Sequence, residues 1–361
     1  MNSKITNILL ALPLLLLSAC SADDSGTHSD RGYAKGEDRK IRFTASVANS
    51  VRNNVDLTRS WADTYNDHLP MNAPVYVYLY AYNDSESEAI DVANYMFKEK
   101  MGETWTSAWV YETQSEYDVA SGRSPLAQTY PTAAQTTSGD AEDAQPVFPA
   151  SLTSNDAYVD AIGIFLPEGG GNNTSVGGGT LTFTVPSMQT TQAAVVSADL
   201  LTNDVTSTFK SDASAINLEL KHRMAKVLVE FNPTEDLTSE NMPNNTYSVQ
   251  NVYTERTLTI KTGTITTTGS TQTITAKVGE PFFMPPQTIP SETQLLQFDL
   301  RNVGGTATGI KNVTLKTTSA LEFQEGVFYI LTVNVGVRYI TLTTTIRDWT
   351  GEAMTFDKII L

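Results

Sequence analysis

The chain has 361 residues, of which 40% are hydrophobic and 18% are charged, a balance that suits packed cores and argues against a disordered chain. Lys and Arg total 24 against 40 Asp and Glu, which gives a formal net charge of -16. This charge excludes electrostatic binding of nucleic acid or anionic lipid by the protein as a whole. The length predicts about two domains.

The only cysteine of the chain, Cys20, ends a short apolar segment. Residues 5–19 are too few for a spanning helix, which needs about 20 apolar positions, and they fit a secretory segment of roughly 7–15. The small residues before Cys20 complete the layout of a bacterial lipoprotein signal, in which the cysteine sulfur is acylated. An ordinary signal peptide with a coincidental cysteine is the alternative. We predict a signal peptide over residues 1–19, acylation of Cys20 and a lipid anchor in the outer membrane.

The segment after the cysteine, residues 20–40, is polar and predicts a flexible linker. Alternating apolar residues over 41–47 then predict a first β-strand. Residues 74–82 are rich in β-branched and aromatic side chains and predict another strand, with Pro74 at its start or on an edge because proline donates no ladder hydrogen bond. Further along, residues 197–201 predict a short helix with Ser197 as N-cap. The other strands predicted in this half are 105–111, 158–166 and 181–185.

A second unit is predicted to begin near residue 211, where Ile216, Leu218 and Leu220 alternate with polar residues. Strands in this half are predicted at residues 226–231, 257–260, 271–274, 295–300, 313–316, 327–335, 339–346 and 354–361. Short strands separated by turns are typical of β-sandwiches. The sequence therefore predicts an all-β fold, with an N-terminal β-sandwich domain over residues 41–210 and a C-terminal one over residues 211–361.

The order of these segments resembles the fimbrillin family, the lipoprotein-derived pilins of type V pili. The resemblance runs over nearly the whole chain and is carried by order and spacing, since no single piece is diagnostic. Its pieces are the cysteine signal at Cys20 and residues 41–43, 159–167, 198–201, 218–227, 282–287, 325–329 and 346–349. The resemblance implies two tandem transthyretin-like β-sandwich domains after the lipoprotein signal and polar linker.

The resemblance also implies a way of assembly. In the family, a trypsin-like protease cuts after a basic residue in the loop that follows the first strand, and loss of that strand opens a groove for a strand from another subunit. Arg52 and Arg59 lie in the matching loop, where ordinary exposed arginines are the alternative. The donor would be the end of the chain, which an internal edge strand explains equally well. The donor residues would be Met354, Phe356, Ile359, Ile360 and Leu361.

Residues suited to catalysis are sparse. The histidines are His28, His68 and His222, and neither a His-Glu-x-x-His motif nor a Gly-x-Ser-x-Gly elbow occurs. Acylation would consume Cys20, so it is a poor nucleophile. His222 lies in a strand pattern beside Lys221 and Arg223, which favours a structural role. We expect no enzymatic activity, no cofactor and no metal site.

The sequence therefore predicts a structural pilus subunit, located on the outer membrane and then in a cell-surface fibre that supports adhesion. Its partners would be other pilus subunits, the outer membrane through the lipid anchor before processing, and a surface receptor that the sequence does not identify. The alternative is a tip or surface adhesin that binds glycan or protein without polymerising. In that case Trp61, Trp105 and Trp109 are candidates for stacking on sugar, although core positions explain them more simply. A glycan-processing enzyme is the weakest hypothesis.

Overall fold

The computed structural model describes residues 43–47, 74–82, 90–101, 107–111, 156–167, 170–177, 179–209, 216–235, 237–301 and 310–348. Within these ranges the chain forms one α-helix, α1 (Gln192–Val196). The strands up to residue 209 are β1 (Phe43–Val47), β2 (Pro74–Tyr82), β3 (Ile90–Met101), β4 (Ser107–Tyr111), β5 (Tyr158–Phe165), β6 (Thr174–Gly177), β7 (Thr180–Thr184), β8 (Met188–Gln189), β9 (Leu201–Thr202) and β10 (Thr206–Phe209). They continue with β11 (Ile216–His222), β12 (Ala225–Pro233), β13 (Thr246–Thr259), β14 (Thr264–Lys277), β15 (Phe282–Met284), β16 (Gln287–Ile289), β17 (Gln294–Arg301), β18 (Ile310–Lys316), β19 (Leu321–Phe323), β20 (Val327–Val335) and β21 (Ile340–Asp348).

The all-β fold class is confirmed. The strands predicted at residues 74–82 and 327–335 coincide with β2 and β20. Pro74 is the first residue of β2, which has β5 on one side and β3 on the other. Proline lacks a backbone N–H to donate to the ladder, and the first residue of a strand is one of the positions where this lack is tolerated. The strand β3 was not predicted from the sequence.

The described strands form four sheets. The first sheet has the order β1-β11-β9-β5-β2-β3-β4, with β10 paired to β5. The second sheet has the order β15-β12-β20-β21, and the third has the order β18-β17-β13-β14-β8. In the third sheet β7 also pairs with β13, and β6 with β7. The fourth sheet pairs β16 with β19.

Strand pairing crosses the predicted domain boundary at residue 210. On the N-terminal side of it, β7 pairs antiparallel with β13 and β8 pairs parallel with β14, both of which follow the boundary. On the C-terminal side, β11 belongs to the first sheet with β5 and β2. The division of the chain at residue 210 stays a prediction.

Two apolar clusters lie against the first sheet, one on each face of β2. Tyr76 and Tyr78 belong to the larger cluster, whereas Val75 and Val77 belong to the smaller one. This division follows from the strand itself, because successive side chains point to opposite faces. The larger cluster takes side chains from all four sheets, with Ile164 from the first, Val229 and Leu331 from the second, Phe183 and Phe298 from the third, and Ile289 from the fourth.

The helix prediction at residues 197–201 is wrong, because the helix precedes this segment. Thr191 is the N-cap of α1, and its Oγ1 accepts a hydrogen bond from the backbone N–H of Ala194 at 3.3 Å. Ser197 is the C-cap, where its hydroxyl donates to the carbonyl of Ala194 at 3.0 Å. A serine hydroxyl can accept at a helix start and donate at a helix end, so the residue type alone did not decide its position.

Candidate assembly site at the edge of the first sheet

Within the part of the first sheet that the structure describes, the first strand lies at the edge. Among the strands that the structure describes, β1 pairs with β11 only, in a parallel register from Phe43 opposite Ile216 to Val47 opposite Leu220. An edge strand is hydrogen-bonded on one side and leaves the other row of backbone groups unpaired. The loss of β1 would therefore break one pairing in the described sheet and leave the pairing of β5 with β2 intact.

The strand β11 alternates strictly, as its sequence predicts. Ile216, Leu218 and Leu220 are buried, whereas Asn217 and Glu219 are exposed. The three buried side chains belong to the smaller apolar cluster, to which β1 contributes Val47 at 3% exposure. The cluster also contains Val75, Val77, Leu79, Ala81, Ala157, Val159, Ala161, Phe165 and Leu201. Beneath the edge strand there is thus a continuous apolar surface.

The strand β5 pairs with two different strands along the same side, and the side chain of a buried asparagine bonds to its backbone between them. Phe165 and Ile164 of β5 pair with β9, and the residues from Ala161 back to Tyr158 pair with β10. Between them the side chain of Asn203 takes the place of a strand: its Oδ1 accepts from the N–H of Gly163 at 2.5 Å, and its Nδ2 donates to the carbonyl of Ala161 at 3.2 Å. Asn203 is 2% exposed, so these groups have few other routes to a partner.

The absence of a side chain at Gly163 lets β11 approach β5 closely. A Cβ at this position would lie 3.0 Å from Cδ1 of Leu218 and 3.4 Å from Cγ1 of Val75. The first distance is shorter than ordinary van der Waals contact. The close approach matters because the residues of β11 that face β1 have no ladder to β5 in the described pairings, so packing holds them to the sheet.

A cluster of charged and polar side chains lies at the end of β11, and we call it the polar cluster. It consists of Asp199, Thr202, Asp204, Lys221, His222, Arg223, Arg256 and Glu325. Arg223 is its centre, with Nε donating to Oγ1 of Thr202 at 2.8 Å, Nη1 to Oε1 of Glu325 at 2.9 Å and Nη2 to Oδ1 of Asp204 at 2.7 Å. Its side chain is 6% exposed, so a buried charge is matched by two carboxylates.

The strand β13 reaches the same cluster through Arg256. The Nη1 of Arg256 donates to the backbone carbonyl of Arg223 at 2.6 Å, and its Nη2 donates to Oε2 of Glu325 at 3.1 Å. Burial lowers the pKa of Arg256 from its ordinary value, and the nearby Glu325 opposes that shift. Hydrogen bonds from Lys221 and Arg223 hold the pKa of Asp204 below its ordinary value.

The histidine of the cluster is buried beside a carboxylate. Nδ1 of His222 lies 2.7 Å from Oδ2 of Asp199, and both side chains are less than 5% exposed. The contact joins the end of β11 to the segment between α1 and β9, which agrees with the structural role predicted for His222. The roles of Arg256 and Glu325 were missed, because they lie far from His222 in sequence and only the sheets bring them together.

The predicted lipidation, processing and donor residues lie outside the described residues. These residues are Cys20, Arg52, Arg59, Met354, Phe356, Ile359, Ile360 and Leu361. Trp61 and Trp105 also lie outside them, and Trp109 lies in β4. Within the described ranges, no group of three or more acidic or histidine side chains is arranged to hold a metal ion. A helix long and apolar enough to span a membrane is likewise not found there.

The packed sheets and the edge strand define an all-β protein, and a family comparison makes the class more specific. The fimbrillin-like family matches residues 129–349, which is more than half of the chain. The chain belongs to the fimbrillin-like family. This membership assigns it to the class of pilus or adhesion subunits.

Several solved structures are similar to this chain at low sequence identity. A candidate cell adhesion protein from Bacteroides uniformis is 15% identical with a TM-score of 0.51, covering 87% of this chain and 100% of its own. A fimbrial protein from Bacteroides vulgatus is 11% identical with a TM-score of 0.45, covering 86% and 99%. A fimbrial assembly protein from Parabacteroides distasonis is 9% identical with a TM-score of 0.43, covering 88% and 98%. A search of curated sequences gives no match.

Proposed function

We propose that this chain is a structural subunit of a bacterial cell-surface pilus, exported as a lipoprotein, cut by an arginine-specific protease and polymerised by strand exchange. The observation that carries this proposal is the position of β1, an edge strand that pairs with β11 alone among the described strands and covers an apolar surface. The work of such a protein is mechanical: its fibre supports adhesion, and it carries out no enzymatic reaction.

The chemistry of the edge explains why exchange would be favourable. Without β1, the backbone groups of Ile216–Leu220 that face it lose their partners, and the apolar contacts of Val47 are lost with them. Burial of one valine side chain contributes about 1.5–3 kcal/mol. An incoming extended segment restores both the ladder and the apolar contacts by strand addition. The vacated edge is therefore a site for another strand.

The two arginines are placed in the sequence where a cut would free β1. Arg52 and Arg59 follow Val47 and precede Pro74, the first residue of β2. A cut after either residue removes the covalent connection between β1 and the rest of the first sheet. Because Cys20 precedes β1, the same cut also separates the lipid anchor from the folded body. One cleavage would release the subunit and open its acceptor edge.

The end of the chain would supply the incoming strand. Residues 354–361 follow β21, which ends at Asp348 on the edge of the second sheet. The segment is longer than the five residues of β1, so it can cover the whole register of the vacated edge. Met354, Phe356, Ile359, Ile360 and Leu361 would supply its apolar contacts.

Limited trypsin digestion of the purified precursor tests assembly. We expect ladders on denaturing gels run without boiling and fibres in electron micrographs, with N-terminal sequencing of the fibres starting after Arg52 or Arg59. The double variant R52A/R59A should stay monomeric. Deletion of residues 354–361 should leave cleavage unchanged and abolish fibres.

Two results would contradict the proposal. One is fibres whose subunits keep an intact segment from Cys20 to Arg59. The other is trypsin-treated protein that loses β1, stays monomeric and binds a glycan or protein surface, which would favour the adhesin alternative.

Incorporation of labelled palmitate tests the anchor separately. The wild type should take up the label and fractionate with the outer membrane, whereas C20S should do neither. Label uptake by C20S would show that acylation occurs elsewhere in the chain.

A further inference from the structure

The strand that would accept the donor is weakly attached to the rest of its sheet. Residues Ile216–Leu220 of β11 pair with β1, and only Lys221 and His222 pair with β9, which is itself two residues long. The described pairings give Ile216–Leu220 no ladder on their other side. When β1 is gone, β11 keeps its ladder hydrogen bonds at one end only. Apart from the packing of its buried side chains, β11 therefore needs a further attachment to stay in register for an incoming strand.

The polar cluster lies at that end. Three consecutive residues of β11 and its continuation each contact a carboxylate: Lys221 reaches Asp204 at 2.5 Å, His222 reaches Asp199 at 2.7 Å, and Arg223 reaches both Asp204 and Glu325. The backbone is tied as well, because the N–H of Arg223 donates to the carbonyl of Leu200 at 2.8 Å. Both the side chains and the backbone of this segment are therefore fixed.

Two members of the polar cluster, Arg256 and Glu325, lie in or next to strands of other sheets, which do not contain β1. Glu325 precedes β20 of the second sheet, and its carboxylate is shared by Arg223 and Arg256. Arg256 belongs to β13 of the third sheet and also holds the carbonyl of Arg223. The guanidinium groups of Arg223 and Arg256 fix the direction as well as the distance of their hydrogen bonds, because their N–H donors are held in a rigid plane.

We propose that the polar cluster is a clamp, with Arg223 as its positioning residue, that holds β11 in place after β1 has left and so keeps the edge ready for the incoming strand. This inference rests on the proposed strand exchange and adds the residues that preserve the acceptor. The alternative role is general stabilisation of the fold, which would be equally important before and after cleavage. The two roles differ in whether loss of the cluster affects the cut protein more than the intact one.

The test compares R223M with wild type in both forms. A fluorescent peptide with the sequence of residues 41–47 is added in excess to trypsin-cut full-length protein, and its binding is followed by anisotropy. Amide hydrogen exchange is measured over residues 216–220 before and after the cut. The matched control is R301M, because Arg301 is a sheet arginine that donates to the carbonyl of Met242 at 3.0 Å in the third sheet, away from β11.

We expect R223M to bind the peptide about tenfold more weakly than wild type, which corresponds to about 1.4 kcal/mol. Exchange over residues 216–220 should become faster in cut R223M and stay near the wild-type rate in intact R223M. R301M should behave as wild type in both forms. D204N replaces the carboxylate that Lys221 and Arg223 share with a neutral amide, which keeps one acceptor oxygen but loses both ion pairs. It should therefore fall between wild type and R223M, and it provides the test if R223M does not fold.

Every outcome is decisive. If the cut wild type binds the peptide, and R223M and D204N bind it as tightly as wild type does, the proposed clamp role is contradicted while the proposed strand exchange stands. If exchange rates rise equally in the intact and cut forms of the variants, the cluster is a general stabiliser and the clamp is again wrong. If the cut wild type itself does not bind the peptide, the proposed strand exchange fails and the clamp falls with it.

Discussion

Replacement of Asn203 by alanine is expected to destabilise the first sheet strongly. Its side chain accepts from the N–H of Gly163 and donates to the carbonyl of Ala161, and the residue is 2% exposed. Removing the amide leaves these two buried backbone groups without their partner. Each unsatisfied buried group costs about 1–3 kcal/mol, so N203A should lose about 2–6 kcal/mol of unfolding free energy.

Urea denaturation followed by circular dichroism measures this loss. With a slope of about 3 kcal/mol/M, the midpoint should fall by about 0.7–2 M while the slope stays unchanged. The matched control is N312A, because Asn312 is also a strand asparagine with side-chain hydrogen bonds, to Asp299 and Gln297, but it is exposed. That control should change the free energy by less than about 0.5 kcal/mol.

The reasoning is refuted if N203A and N312A shift the midpoint equally. Such a result would mean that water or a shift of the backbone satisfies Gly163 and Ala161 at little cost. A loss in N203A accompanied by a changed slope would instead indicate a change in the native or denatured ensemble.

Two further predictions concern the same sheet. G163A should lose about 1–3 kcal/mol of unfolding free energy because its Cβ would approach Leu218, and L218V should recover part of that loss. If the shift of the urea midpoint in the double mutant equals the sum of the shifts in the two single mutants, the contact is contradicted. Burial raises the pKa of Asp160, whose Oδ1 accepts from Ser207 at 2.5 Å, so its ionised form destabilises the fold at neutral pH. D160N should therefore raise the melting temperature at pH 7. The gain should vanish below the unfolded pKa of about 3.9, where Asp160 of the wild type is protonated and so as neutral as the asparagine of the variant. A gain of equal size at pH 7 and pH 3 would contradict it.

The sequence predicted the strands whose pattern is determined locally. Alternation placed Ile216, Leu218 and Leu220 on one face of β11, and the dense β-branched and aromatic run gave β2 its bounds. Such patterns are readable because strand side chains alternate with a period of two, whatever the strand pairs with. The family resemblance also came from the sequence, and the match over residues 129–349 confirms it.

The helix at Gln192–Val196 and the strand β3 show where local patterns were insufficient. Thr191 and Ser197 are both good capping residues, and the choice between them depended on which hydroxyl accepts and which donates. The segment Ile90–Met101 mixes charged, polar and apolar residues without a clean alternation, so its strand is defined by pairing with β2 and β4.

By itself, the sequence determined the all-β class, most strand positions and the family, because these depend on local composition and periodicity. Only the tertiary structure showed that β1 lies at an edge beside β11, that Asn203 replaces a strand next to Gly163, and that Arg223 and Arg256 share Glu325. These features join residues from distant parts of the chain. No local pattern specifies them, because sheet order and side-chain contacts are decided when the strands pack together.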